Sequence, residues 1–322
     1  MIKTAESVSP MHPDKICDRI SDTILDECLR QDPSTRAGIE TIGGHGIIMI
    51  TGELTTEAWV DFRQIAAEIT HEKYGIQSNI VQQSSEIAQG VDTGGAGDQG
   101  IMTGFATSET KELIPKEMLL SRKLCQKVFE IFPHDGKTQI TLKNDRISAV
   151  VCSFQHAKKE ELEKIIRDFL SDQEVDETID IFCNPCGDWD VGGFEADAGL
   201  TGRKLAVDNY GPQFPIGGGC FSGKDATKVD RSAAYMARKI AVDYLKEFKA
   251  DEVHTRLAYS IGVAKPVMAV AEIKKRGKIE EKYITKYDLT PKGITEFLDL
   301  RKPQFAETAK WGHFGNGFLW DR

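Results

Sequence analysis

At 322 residues the chain is longer than one apolar core usually organises, so two or three subdomains are expected. Its 40% hydrophobic and 28% charged residues exclude a disordered chain, and no apolar run nears the roughly 20 residues a membrane helix needs. A net charge of −9 argues against general nucleic-acid binding but leaves room for a local anion site.

The first twenty residues lack a basic start, an apolar run and a small-residue cleavage site, so a cytoplasmic protein is expected. Pro13 fits the first position of a helix, and Ile16, Ile20 and Ile24 recur on one face, predicting a helix over Pro13–Gln31. Strand patterns follow at Ala37–Ile42 and Ile47–Thr51, then an amphipathic helix at Thr56–Lys73. The same order recurs. A helix is expected at Glu112–Phe132, a hairpin of Gln139–Leu142 and Ile147–Phe154 turned at Asn144-Asp145, and a helix at Lys158–Leu170. The last repeat reads as a helix at Lys228–Phe248, strands at Arg256–Val263 and Val267–Ile273, and a short helix after Pro291. The expected fold is therefore α+β, in three similar subdomains at 1–90, 91–187 and 188–322, each a β-sheet covered by helices around a common axis. Glycine-rich segments, Gly90–Gly104 and Gly187–Gly223, connect them, and long loops of this kind usually carry function.

Three of these segments carry the chemistry. In His12-Pro13-Asp14-Lys15 the helix start favours an anion, with a phosphate beside His12 and Lys15 and a metal on Asp14. The plainer reading is a capped surface helix on which Asp14, Asp18 and Asp22 form a solvated stripe. In Gly217-Gly-Gly-Cys-Phe-Ser-Gly-Lys224-Asp225 glycines let the backbone approach a phosphate, and Lys228, Asp230 and Arg231 follow within one turn. The spacing from Gly218 resembles a P-loop, but Asp225 takes the Ser/Thr position and no apolar strand precedes. Asp197-Ala-Gly-Leu-Thr-Gly-Arg203-Lys204 and Gly94-Gly-Ala-Gly97-Asp98 add a basic pair and an acid. Together they describe a polyphosphate site neutralised by side chains and a divalent metal. Cys183-Asn-Pro-Cys186 has no second Cys/His pair at zinc spacing and opens no helix, so it reads as incidental, and the seven cysteines as reduced thiols.

These motifs, read together, resemble methionine adenosyltransferases (S-adenosylmethionine synthetases). ESVSPMHPDKICDRISD, GAGDQGIMTGFAT, GLTGRKLAVDNYG, GGGCFSGKDATKVDRSAAYMAR, YSIGVAKP and GHFG carry the resemblance across essentially the whole chain. It implies a fold of three subdomains related by pseudo-threefold symmetry. It implies attack of the methionine sulfur on C5′ of ATP, then hydrolysis of the released triphosphate to phosphate and pyrophosphate. His12 and Lys137 match residues at the bridging oxygen, and Arg203, Lys204, Lys224 and Lys228 the phosphate clamp, with Lys224 reaching across a subunit boundary. Asp14 and Asp230 match Mg²⁺ ligands, two ions per site, and Glu40 a K⁺ ligand. Glu53, Gln83 and Asp98 match methionine-side residues, while Asp135, Trp189 and Asp197 lie around nucleoside and substrate. A homodimer with sites between subunits is implied at minimum, dimer against tetramer being open. Pro10-Met11 and Cys220 depart from the usual Glu-Gly and Ala, Trp189 stands where Phe is usual, and the segment between Gln83 and Asp98, a gate loop in the family, is short. Two other classes stay in view: a regulatory homologue without catalysis, and a P-loop-like kinase that would release ADP.

Overall fold

The structure, a computed structural model, describes residues 1–71, 73–83 and 94–322, so most of the short segment before Asp98 lies outside the described residues. The first unit runs β1 (Ile2–Val8), α1 (Pro13–Gln31), β2 (Arg36–Gly44), β3 (Ile47–Thr55), α2 (Phe62–Thr70), β4 (Gly75–Val81). The second runs β5 (Gly100–Thr107), α3 (Lys116–Ile131), β6 (Gly136–Lys143), β7 (Arg146–Phe154), α4 (Lys159–Leu170), β8 (Val175–Cys183). The third runs β9 (Gly199–Leu200), α5 (Leu205–Asp208), α6 (Val229–Phe248), β10 (Glu252–Tyr259), β11 (Met268–Lys275), β12 (Lys278–Tyr283), α7 (Pro291–Phe297), α8 (Phe305–Trp311). No helix among the described residues is long and apolar enough to cross a membrane.

Among the described residues three four-stranded sheets result, ordered β4-β3-β2-β9, β1-β6-β7-β8 and β12-β11-β10-β5. Each unit lends its first strand to the next unit's sheet. β1 pairs antiparallel with β6, β5 with β10, and β9 returns to β2, which closes the circle. This cyclic exchange ties the units together through backbone hydrogen bonds. In the first two sheets the last strand, β4 or β8, joins parallel after a helix, as a parallel connection requires. In the third, β12 returns antiparallel through Arg276 and Gly277, both at positive φ.

Local chemistry sets the boundaries. The helix expected from Thr56 begins at Phe62, because the Asp61 carboxylate accepts the N–H groups of Arg63 and Gln64 and caps it there. Glu57 instead donates its N–H to Asp32. The helix expected from Glu112 starts after Pro115. Among the described residues two apolar cores form: α3, α4, β6 and β7 enclose one around Leu124, Ile140, Val150 and Ile166, and α1 and α6 run through the other, which the first and third units share with β5 and the start of α3.

Candidate active site

Helix α1 is the base of the site. His12 is its N-cap, and the ring Nδ1 accepts the Asp14 N–H at 3.2 Å. Below it, Asp14, Asp18, Asp22 and Asp26 recur every four residues and therefore share one face. All four are buried, so the solvated stripe is not found. Each carboxylate instead accepts backbone N–H groups from a distant segment. Asp14 takes Leu200, Asp18 takes Gly202, Asp22 takes Gly223, and Asp26 takes Gln304, Phe305 and Ala306. A buried carboxylate needs such donors, and here they fix the two loops that carry Arg203, Lys204 and Lys224. The sequence showed the four-residue period but not the partners, which lie more than 180 residues away.

Around the helix start, Asp14 is enclosed by Lys204, whose Nζ reaches it at 2.5 Å, and by Arg203 Nε at 3.3 Å. Burial alone would push the Asp14 carboxyl up, but the Lys204 hydrogen bond and the Leu200 N–H outweigh it and hold it below its ordinary value. Burial, then the charges of Lys204 and Lys137, depress His12 to about 3. The imidazole is thus neutral, and since Nδ1 accepts, the proton sits on Nε2, which presents a donor. Lys137 is exposed on β6 in register with Val8, and Asp197 is exposed on the loop before β9. Asp135 accepts the Gly193 N–H at 2.9 Å, and burial raises its carboxyl above the ordinary range. Trp189 lies against the same loop, half-buried.

Lys15 differs from the expectation of a phosphate contact. It turns inward, with Nζ 2.5 Å from Asp208 and 3.3 Å from Asp18, and it is fully buried. Its charge offsets the acids of α1, although burial still drives Asp18 up to about 7. It joins the helix to the α5 segment and is not presented to solvent.

A second group gathers where the glycine-rich loop meets β2. Gly38 and Lys224 form an isolated antiparallel bridge, and Glu53 of β3 lies in register with Gly38. Lys224 Nζ pairs with Asp230 at 2.6 Å. A side chain at Gly219 would put its Cβ 2.0 Å from Asp230 Oδ2, so with the carboxylate where it stands the loop closes over it as glycine. Glu40 and Asp98 are exposed nearby, Glu40 acting on Cys220 and Asp98 on Lys224. Val81, two residues before Gln83, pairs with Glu53, and the Gln83 Oε1 is buried without a hydrogen-bond partner among the described residues. Lys228, the N-cap of α6, is held at 2.5 Å by Asp225, which also accepts the N–H groups of Ala37 and Thr227. Asp225 therefore serves the fold, unlike the Ser/Thr of a P-loop.

The strongest charges felt by His12 are Lys204 and Lys137, then Asp14 and Asp197, and Lys224 feels Cys220, Asp230 and Asp98; the two groups meet where Gly202, beside Arg203, packs against Cys220. Among the described residues no three His, Cys, Asp or Glu side chains converge as a metal cage. Asp14 and Asp230 each stand as a single carboxylate beside a lysine, a donor set that suits an ion shared with substrate phosphates.

Family models for the S-adenosylmethionine synthetase N-terminal, central and C-terminal domains match residues 1–91, 93–189 and 191–322 in turn. With all three domains in order along a chain whose sheets exchange strands in a ring, the protein belongs to the S-adenosylmethionine synthetase family.

Proposed function

We propose that the chain is a methionine adenosyltransferase, converting L-methionine, ATP and water to S-adenosylmethionine, phosphate and pyrophosphate. One observation carries the reading: His12, its Nδ1 fixed by the Asp14 N–H and its Nε2–H left as a donor, stands at the start of α1 among Lys137, Arg203 and Lys204. When sulfur attacks C5′ in an SN2 displacement, the C5′–O bond breaks and its electron pair goes to the triphosphate. Donors and cations fixed beforehand stabilise that developing charge without reorganising. The His12 Nε2–H and the Lys137 ammonium would meet the bridging oxygen, while Arg203, Lys204, Lys224 and Lys228 hold the phosphate chain. Asp135, Trp189 and Asp197 would orient the nucleoside, with Glu53, Gln83, Asp98, Asp197 and Lys228 on the methionine.

In this reading Asp14 and Asp230 hold Mg²⁺, two ions per site, and Glu40 holds K⁺. Bound Mg²⁺ adds positive charge at the phosphate oxygens. Lys204 and Lys224 neutralise the two carboxylates in the free protein, at 2.5 and 2.6 Å, and would be the cations released to the phosphates if Mg²⁺ took their place there. The family resemblance implies a homodimer in which each site joins the His12 group of one subunit to the Lys224 group of the other.

The test is incubation of the purified protein with methionine, ATP, Mg²⁺ and K⁺, following products by chromatography. Equimolar S-adenosylmethionine, phosphate and pyrophosphate are expected, all dependent on methionine. ADP as the product would favour the kinase, and ATP binding without turnover would favour the regulatory homologue.

A further inference from the structure

The Cys183-Asn-Pro-Cys186 segment, which the sequence leaves without a role, contains the most heavily hydrogen-bonded side chain near the nucleoside loop. Asn184 follows β8 at φ +40° and is 3% exposed. Its Oδ1 accepts from Ser153 Oγ at 3.2 Å, from the Phe154 N–H at 3.1 Å, and from the Trp189 indole Nε1–H at 3.3 Å. Its Nδ2 donates to the Ala157 carbonyl at 2.8 Å and to Asp188 Oδ1 at 3.2 Å. The amide is thus saturated and immobile, anchored on the end of β7.

From that anchor a chain of contacts leads into the site. The Trp189 carbonyl accepts the His156 N–H at 2.9 Å, so backbone and indole are both fixed to the β7 end. The ring lies so close to Gly192 that an added Cβ there would be 2.8 Å from Trp189 Cζ3. Gly192 is followed by Gly193, whose N–H holds Asp135. Gln155 closes the loop from the other side, donating to the Asp190 carbonyl at 2.8 Å. A phenyl ring at position 189 would have no N–H to offer. The bond donated to Asn184 Oδ1 is therefore specific to the indole this chain carries.

We propose that Asn184 is a positioning residue that selects the nucleoside: by holding the Trp189 indole it sets the direction of the aromatic face that an adenine base would meet. The inference rests on the reading of Trp189 as the nucleoside-side aromatic. An untethered indole samples other rotamers, and the loss of one buried hydrogen bond corresponds to a factor of about three to ten in the affinity that depends on it. The effect falls on the purine nucleotide and not on methionine.

The experiment is a double-mutant cycle on the full-length protein with Asn184→Ala, Trp189→Phe and both together, reading kcat and KM for ATP, KM for methionine, and the ATP-to-GTP ratio of kcat/KM. Asn184→Ala should raise the KM for ATP about three- to tenfold, more than it lowers kcat, and narrow the ATP preference. In the Trp189→Phe background the same substitution should add nothing, because the phenyl ring never used the amide. If Asn184→Ala acts equally in both backgrounds, or moves KM for methionine as much as for ATP, its role is only structural and the proposal is overturned. If Asn184→Ala fails to fold, the proposal rests on Trp189→Phe: an unchanged ATP-to-GTP ratio in that variant overturns it. Wild-type protein that makes no S-adenosylmethionine in the same assay would instead defeat the underlying assignment of function.

Discussion

Arg231 donates from Nη1 and Nη2 to the two carboxylate oxygens of Asp22, at 2.6 and 2.9 Å, and neither side chain has exposed surface. The pair joins α1 to α6 in the larger apolar core. Arg231 also donates to the Lys224 carbonyl, while Asp22 accepts the Gly223 N–H, so both partners grip the glycine-rich loop. Gly223 itself is at φ +80°, with Ile39 O 1.9 Å from where a Cβ would be, and the loop fits only as glycine there.

Removing one member leaves the other charge buried and unpaired. Asp22→Ala should therefore destabilise the protein by about 3–5 kcal/mol, read as a lower denaturant midpoint, whereas replacing both residues by apolar ones of similar volume should cost much less. Equal losses in the single and double variants would show that the loop, not the ion pair, sets the cost.

His313 gives a pH-dependent prediction. It is buried, its Nδ1 lies 2.9 Å from the Tyr235 hydroxyl, and its carbonyl accepts the Trp320 indole N–H. Burial, followed by the charges of Arg231, Lys15 and Arg122, lowers its pKa well below the ordinary value, so the folded protein keeps it neutral. The unfolded chain takes up a proton below about pH 6.5, and stability from this residue is present above that pH and lost as pH falls through it. Urea unfolding between pH 7 and 5 should show a slope steeper by up to about 1.4 kcal/mol per pH unit in the wild type than in His313→Gln. Parallel slopes would mean that the imidazole is protonated in the fold.

How much of this was legible in the sequence depended on how local the cause was. Pro13–Gln31 could be read to the residue, because the Pro13 start and the isoleucine period lie within the helix itself. The hairpin turn at Asn144-Asp145 was equally local, both residues taking positive φ (49° and 67°). Strands β1, β5 and β9 escaped notice because each pairs with a strand in another unit, and Ile2–Val8 has no clear alternation without β6 beside it; β4, β8 and β12 escaped because they are edge strands with largely exposed side chains and so carry little apolar pattern. Lys15 misled for the same reason. As a cation at a helix start it suggests a phosphate, and only the fold brings Asp208, 193 residues away, to its ammonium group.

Lys137 tests the chemistry directly. It is exposed on β6, so its truncation opens no cavity, yet its charge reaches His12. Lys137→Ala should lower kcat by about 10²- to 10³-fold, the usual loss for one preorganised donor at a leaving oxygen, with melting temperature nearly unchanged. Unaltered turnover in steady-state assay would remove Lys137 from the leaving-group role.

The division of the site into a His12 group and a Lys224 group makes a prediction about assembly. If each active site takes one group from each of two subunits, His12→Ala and Lys224→Ala should each abolish both sites of a homodimer. In a mixed dimer one site carries both lesions and the other carries neither. Random pairing of equal amounts makes half the dimers mixed, each with one intact site, so refolded mixtures should recover about a quarter of wild-type activity. Mixtures as inactive as their components would place both groups in one site on a single chain, and the cations of the glycine-rich loop would then have to reach His12 within it.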